Sequence, residues 1–108
     1  MPYYLLQISW STEVARSLVE NPADHMAVLV PAAEKLGGSI ECAYSVFGDA
    51  DFVGVVNMPD NVSMIAFSKA VSTSGASKSI RTTPLVTLEE EREAMAKALE
   101  AGYRPPNS

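Results

Sequence analysis

The chain opens on a strand-sized run of apolar and aromatic residues, Tyr3 to Trp10, followed by Ser11-Thr12-Glu13, a capping residue and an acidic first turn. This pattern predicts a strand and then a helix over Glu13 to Glu20. Asn21-Pro22 offers a cap and a residue suited to the first helical position, so a second helix is expected to begin there and run toward Leu36, where Gly37-Gly38 stops it. Pro31 lies inside that helix, removes an amide donor and crowds the carbonyl of Ala27, which predicts a kink or break near Leu29-Val30. From Ser39 to Phe47 the pattern alternates. Ile40, Cys42, Tyr44 and Val46 fall on one face and Glu41, Ala43, Ser45 and Phe47 on the other, the period of a strand. The loop Phe47-Gly48-Asp49-Ala50-Asp51 is short, Gly48 permits a positive φ, and Phe52 to Met58 is nearly all apolar, so the two strands are expected to form an antiparallel hairpin. Pro59-Asp60-Asn61 opens a helix over Val62, Ile65, Ala66 and Val71. Ser72 to Ser77 reads as a loop, and Ser79 to Val86 as a strand that Pro84 confines to an edge or a bulge. Thr87-Leu88-Glu89-Glu90 fits a capping box, and a last helix follows to about Ala101, where Gly102 ends it.

The order β-α-β-β-α-β with one further helix is the ferredoxin-like split βαβ arrangement, an α+β fold with a four-stranded antiparallel sheet and helices on one face. A single domain is expected over residues 1–101, with a C-terminal tail over 102–108. The strands at Tyr3 to Leu6 and Phe52 to Val56 carry apolar groups on both sides, yet the crossover helices can cover only one. A large exposed apolar sheet face is rare in a soluble monomer, so two subunits are expected to pack sheet to sheet as a symmetric homodimer.

Composition changes this picture mainly by exclusion. A chain of 108 residues buries roughly two-thirds of its unfolded surface and needs no staple. A hydrophobic share of 47% and a charged share of 19% argue against disorder. With only 8 Lys and Arg against 13 Asp and Glu, the net charge is −5, and no basic stripe invites nucleic acid. The single Cys42 forms no intramolecular disulfide and the first residues lack the pattern of a signal peptide, so a reducing cytoplasm is expected. The longest apolar stretch, Met26 to Ala33, falls well short of the ~20 residues of a membrane span.

Candidate chemistry is sparse. Trp10, Tyr44, Asp51 and Arg81 all sit on strands or at strand ends and form the candidate ligand pocket: aromatic walls with one acid and one cation. Each also has a plain structural reading. Trp10 and Tyr44 suit a core, Asp51 and Asp49 suit turn hydrogen bonds, and Arg81 suits an ion pair with Asp51. His25 is the only histidine, so no multi-histidine metal site fits within one subunit, and it reads first as a solvated or helix-packed side chain. Cys42, alternating with Ile40 and Tyr44, reads as a buried thiol, and Met26, Met58, Met64 and Met95 as gap-filling core. Tyr3 and Tyr4 are split between the core and the dimer face. Gly37-Gly38 follows a helix and leads into a strand, the reverse of a phosphate-binding loop, and no cofactor or metal is expected.

The run Leu36-Gly37-Gly38-Ser39-Ile40-Glu41, then Phe47-Gly48-Asp49-Ala50-Asp51-Phe52, Met58-Pro59-Asp60-Asn61 and Ile80-Arg81-Thr82-Thr83-Pro84-Leu85 resembles the GYD-domain family over about residues 3 to 95. The resemblance implies membership of the dimeric α+β barrels, paired ferredoxin-like subunits, and so agrees with the dimer inferred from the strands. It implies no firm activity, although related barrels include oxygenases and isomerases that need no metal. The family's usual tyrosine before the second acid is Ala50 here, so any role of that phenol is absent or supplied elsewhere. Two functions remain open: a small-molecule-binding dimer that is either a binding protein or a cofactor-independent enzyme, and a non-catalytic assembly or regulatory module.

Overall fold

The computed structural model describes residues 1–22 and 25–107. Its strands are β1 (Tyr3–Trp10), β2 (Ser39–Ser45), β3 (Phe52–Asn57) and β4 (Ser77–Leu85). Its helices are α1 (Thr12–Glu20), α2 (Met26–Lys35), α3 (Asn61–Thr73) and α4 (Leu88–Glu100). The fold is α+β, with one four-stranded sheet in the order β2-β3-β1-β4 and every pairing antiparallel. β4 is an edge strand, which accommodates Pro84 opposite Tyr4 without a broken ladder on its far side.

Side chains alternate across β1, so Tyr4, Leu6 and Ile8 face one way and Tyr3, Leu5 and Gln7 the other. The first set joins Phe52 and Val56 of β3, Leu29 and Ala33 of α2, and Met64 and Phe67 of α3 in the core. Leu6, Ile8, Val56, Met58, Met64 and Phe67 are sealed from solvent. The opposite face carries Tyr3, Leu5, Val53, Val55 and Leu85, with Gln7, Arg81 and Thr83 among them by register, and among the described residues the start of α4 reaches only its Tyr3–Leu85 end, through Glu90. Tyr4 is buried and Tyr3 exposed, so the adjacent tyrosines divide between the two faces.

Capping explains where three helices begin. The Ser11 hydroxyl accepts the Val14 N–H (3.3 Å) at α1, and the Asp60 carboxylate accepts the Ser63 N–H (2.8 Å) at α3. That backbone donor, followed by the Ser63 hydroxyl, holds the Asp60 carboxyl below its usual 3.8. At α4 the Thr87 N–H donates to Glu90 Oε1 (2.9 Å) and the Glu90 N–H to Thr87 Oγ1 (3.0 Å), closing the predicted capping box. Helix α2 ends in a Schellman motif: the Gly37 N–H donates to the Glu34 carbonyl and the Gly38 N–H to the Ala33 carbonyl, each at 3.0 Å.

Several expectations need correction. The second helix, expected from Asn21-Pro22, begins at Met26 instead, and the part of that expectation falling on Ala23 and Asp24 lies outside the described residues. Pro31 does not break α2, which is continuous from Met26 to Lys35. Both Pro31 and Ala27 are exposed, so water can serve the carbonyl that loses its amide. β2 does not alternate uniformly. Ile40 pairs with Val56 and Cys42 with Val55, so a bulge at Glu41 puts Ile40 on the helix-covered face and Cys42 and Tyr44 on the open one. Cys42 is therefore an exposed thiol, not a buried one. Met95 is 60% exposed on α4, whose residues are all exposed, and is no part of the core.

Candidate functional site

The β2–β3 loop brings polar groups to the end of β1. Gly48 adopts φ +140°, a conformation that L side chains rarely take, and this turns the chain back toward the sheet. The Val46 N–H then closes the loop on the Asp51 carbonyl (3.0 Å), and the Asp51 N–H reaches the Ile8 carbonyl (2.8 Å). From there the Asp51 carboxylate accepts the backbone N–H of Trp10 through Oδ2 (2.9 Å). Asp51 thus extends β1 past its last regular pair and fixes the backbone that carries Trp10.

Trp10 follows a register shift between Ser9 and Trp10 in the pairing with β4. Its ring stacks on His25 with centroids 4.1 Å apart and planes 29° apart, and it tilts against Phe52 at 6.0 Å. His25 is the N-cap residue of α2 and its side chain makes no capping bond. A cleft of about 220 Å³ opens here, lined by Trp10, His25, Tyr44, Asp51, Phe52 and neighbouring apolar groups. Behind the Trp10–His25 stack, a second apolar space of about 150 Å³ lies between α2 and α3, lined by Leu29, Phe67 and Val71 as well as the same two rings. The stack is the wall shared by both.

Of the four residues singled out from sequence, Trp10, Tyr44 and Asp51 line one cleft, and Arg81 does not. Arg81 pairs in register with Gln7 and so belongs to the open face of the sheet. There it lines a different polar cleft of about 250 Å³ with Gln7, Ser9, Asp49 and Ser79. The floor of that cleft is fixed by the Ser9 hydroxyl, which donates to the Asp49 carbonyl (2.9 Å). Asp51 gives its carboxylate to Trp10 rather than to Arg81. Sequence reasoning undervalued His25, because nothing in the order of residues reveals that the start of α2 lies over the end of β1. Among the described residues, no group of three or more His, Cys, Asp and Glu side chains is placed to hold a metal ion.

A third space, about 450 Å³, runs between α3 and β4 and is lined by Tyr4, Asn61, Met64, Ile65, Lys69 and Ile80 among others. Tyr4 donates its hydroxyl to Asn61 Oδ1 (2.5 Å), and the hydroxyls of Ser68 and Thr82 bond across the groove at 2.8 Å. Both pairs tie α3 to the sheet. No described helix is long and apolar enough to cross a membrane.

An α+β domain with one helix-covered and one open sheet face, and an aromatic cleft at the end of its central strand β1, defines the class of protein. The chain belongs to the GYD domain family, whose model matches residues 4–95. No curated protein matches it.

Proposed function

We propose that this chain is a small-molecule-binding GYD protein that works as a homodimer of ferredoxin-like subunits in a reducing, cytoplasmic setting, with a single domain over residues 1–101. The sheet order and antiparallel pairings support the ferredoxin-like reading. The row Tyr3, Leu5, Val53, Val55 and Leu85 on the open face supports sheet-to-sheet packing.

The observation that carries the ligand reading is the Trp10–His25 stack beside the Asp51 carboxylate, at the wall shared by a mixed polar and apolar cleft and an apolar space. A planar ring laid against these aromatic faces gains about 0.5–1.5 kcal/mol beyond area burial. Asp51 spends one acceptor position on Trp10 and, as a carboxylate, has others for a ligand O–H or N–H. Because Arg81 lines another cleft, the pocket favours a planar ligand that carries a donor, a phenol or an aromatic amine, over an anion. If the site turns over its ligand without a cofactor, His25 is the side chain suited to moving the proton.

Trp10 is the only tryptophan, so its emission reports the two spaces that share its ring. Titration with a panel of phenols, aromatic amines and aromatic carboxylates is expected to give a saturable change with the first two classes. Asp51→Asn should weaken that binding by about tenfold, the scale of a hydrogen bond to a charged group. No saturable change with any of the three classes would remove this reading. The alternative, a non-catalytic assembly module, draws on the open sheet face and on the bare helix α4.

A further inference from the structure

Helix α4 has the pattern of a packed helix and none of the packing. Leu88, Met95 and Leu99 recur at spacings of seven and four, which puts them on one stripe, and they are 87%, 60% and 85% exposed. A helix of 13 residues is marginal in water when alone. The chain does not cover the stripe itself: the molecule measures 59 Å by 33 Å by 22 Å, and its radius of gyration is 17.6 Å, against about 13 Å for a compact chain of this length. α4 is the element that projects.

The same chain carries a matching receptor. The groove of about 450 Å³ between α3 and β4 has apolar walls from Met64, Ile65, Ile80 and Pro84, with Ile65 57% exposed. Charge tells what fits it. Lys69 lines the groove, no acid lines it, and Arg81 lies on the opposite face of the sheet. Between residues 88 and 100 it holds Glu89, Glu90, Glu91, Glu93 and Glu100 against Arg92 and Lys97. The groove therefore presents a cation and no acid, and the helix a net charge of −3. Length agrees as well: 13 helical residues span ~20 Å, within the ~30 Å of the nine-residue strand β4 that forms one wall.

We propose that α4 of one copy docks, apolar stripe inward, into the α3–β4 groove of a second copy, and that the exchange is reciprocal. Such an exchange is isologous and closes at two chains, in the helix-in-groove manner. It also shields β4, an edge strand that otherwise offers an unpaired ladder. This surface lies apart from the Trp10–His25 cleft and does not depend on any ligand. It is also separate from the open sheet face, whose packing is tested independently; where both contacts form, the same second copy makes both, so the assembly still closes at two chains.

The test uses a Cys42→Ser background, one chain carrying Met95→Cys and another Ile65→Cys. Both positions are exposed, so neither substitution should unfold the chain. Mild oxidation of the mixture is expected to give a covalent dimer containing one chain of each kind. Leu99→Glu is expected to raise the dimer dissociation constant about tenfold or more, from the lost burial of one leucine. Absence of the mixed disulfide overturns the proposal, even if the protein remains a dimer through its sheet faces. A disulfide within one chain carrying both cysteines, at monomer mass, overturns it too, because the groove would then be filled by the chain's own helix.

Discussion

The covered face of the sheet and the C-terminal stretch beyond β4 obey the same pattern rules with opposite results. Tyr4, Leu6 and Ile8 alternate along β1, Met64 and Phe67 recur on α3, and all are sealed in one core. Leu88, Met95 and Leu99 recur just as regularly on α4, which has a complete capping box, and all are exposed. Periodicity and caps decide that an element forms and which side is apolar. Burial depends on whether another element of the same chain can reach that side. For β1 and α3 it can, and for α4 it does not, which is why the proposed exchange gives that stretch to a second copy.

Substitutions sharpen this contrast. The largest expected effect is Phe67→Ala, which removes a fully buried ring from the core and should cost about 3–5 kcal/mol in urea unfolding. A loss below about 1 kcal/mol would mean that α3 does not seal the core. Gly38→Ala comes next. A Cβ there would run into the Asn57 carbonyl oxygen and the Met58 sulfur, and backbone cannot swing aside as a side chain can, so a loss of about 1–3 kcal/mol is expected in the same measurement. Thr87→Ala removes the α4 cap and should cost about 1 kcal/mol. That loss should appear as faster amide exchange within α4, with the urea midpoint of the core unmoved in dilute solution; an equal shift of the core midpoint would show that α4 is part of it.

The smallest effect is one of pH. The Asp60 carboxyl titrates below its usual 3.8 when folded, so its contribution is complete above the unfolded value and is lost as pH falls through the lowered one. Asp60→Asn is therefore expected to flatten the acid limb of the stability curve below about pH 4 and to leave its slope near neutrality unchanged. An acid limb identical to that of the parent would contradict the capping role of the carboxylate.

Much of the architecture was legible in the residues. Ser11, Asp60 and Thr87 announced three helix starts, Pro84 announced an edge, and the short loop around Gly48 announced the hairpin. The bulge in β2 was not legible, because a period of two carries no sign of an inserted residue, and it moved Cys42 and Tyr44 to the other face from Ile40. Of the candidate site, Trp10, Tyr44 and Asp51 could be grouped because each lies at or near the same end of neighbouring strands. Arg81 could not be assigned, since its side depends on the register that sets it opposite Gln7. His25 was hidden for a different reason. Its partner Trp10 is fixed by tertiary stacking, not by any spacing in the chain.

The claim that the chain is completed by a second copy is tested most directly by its mass in solution. Light scattering after size exclusion at micromolar concentration should give twice the 11.6 kDa of one chain. A single species at 11.6 kDa under those conditions would contradict the claim, leaving both the open sheet face and α4 as surfaces this protein keeps bare.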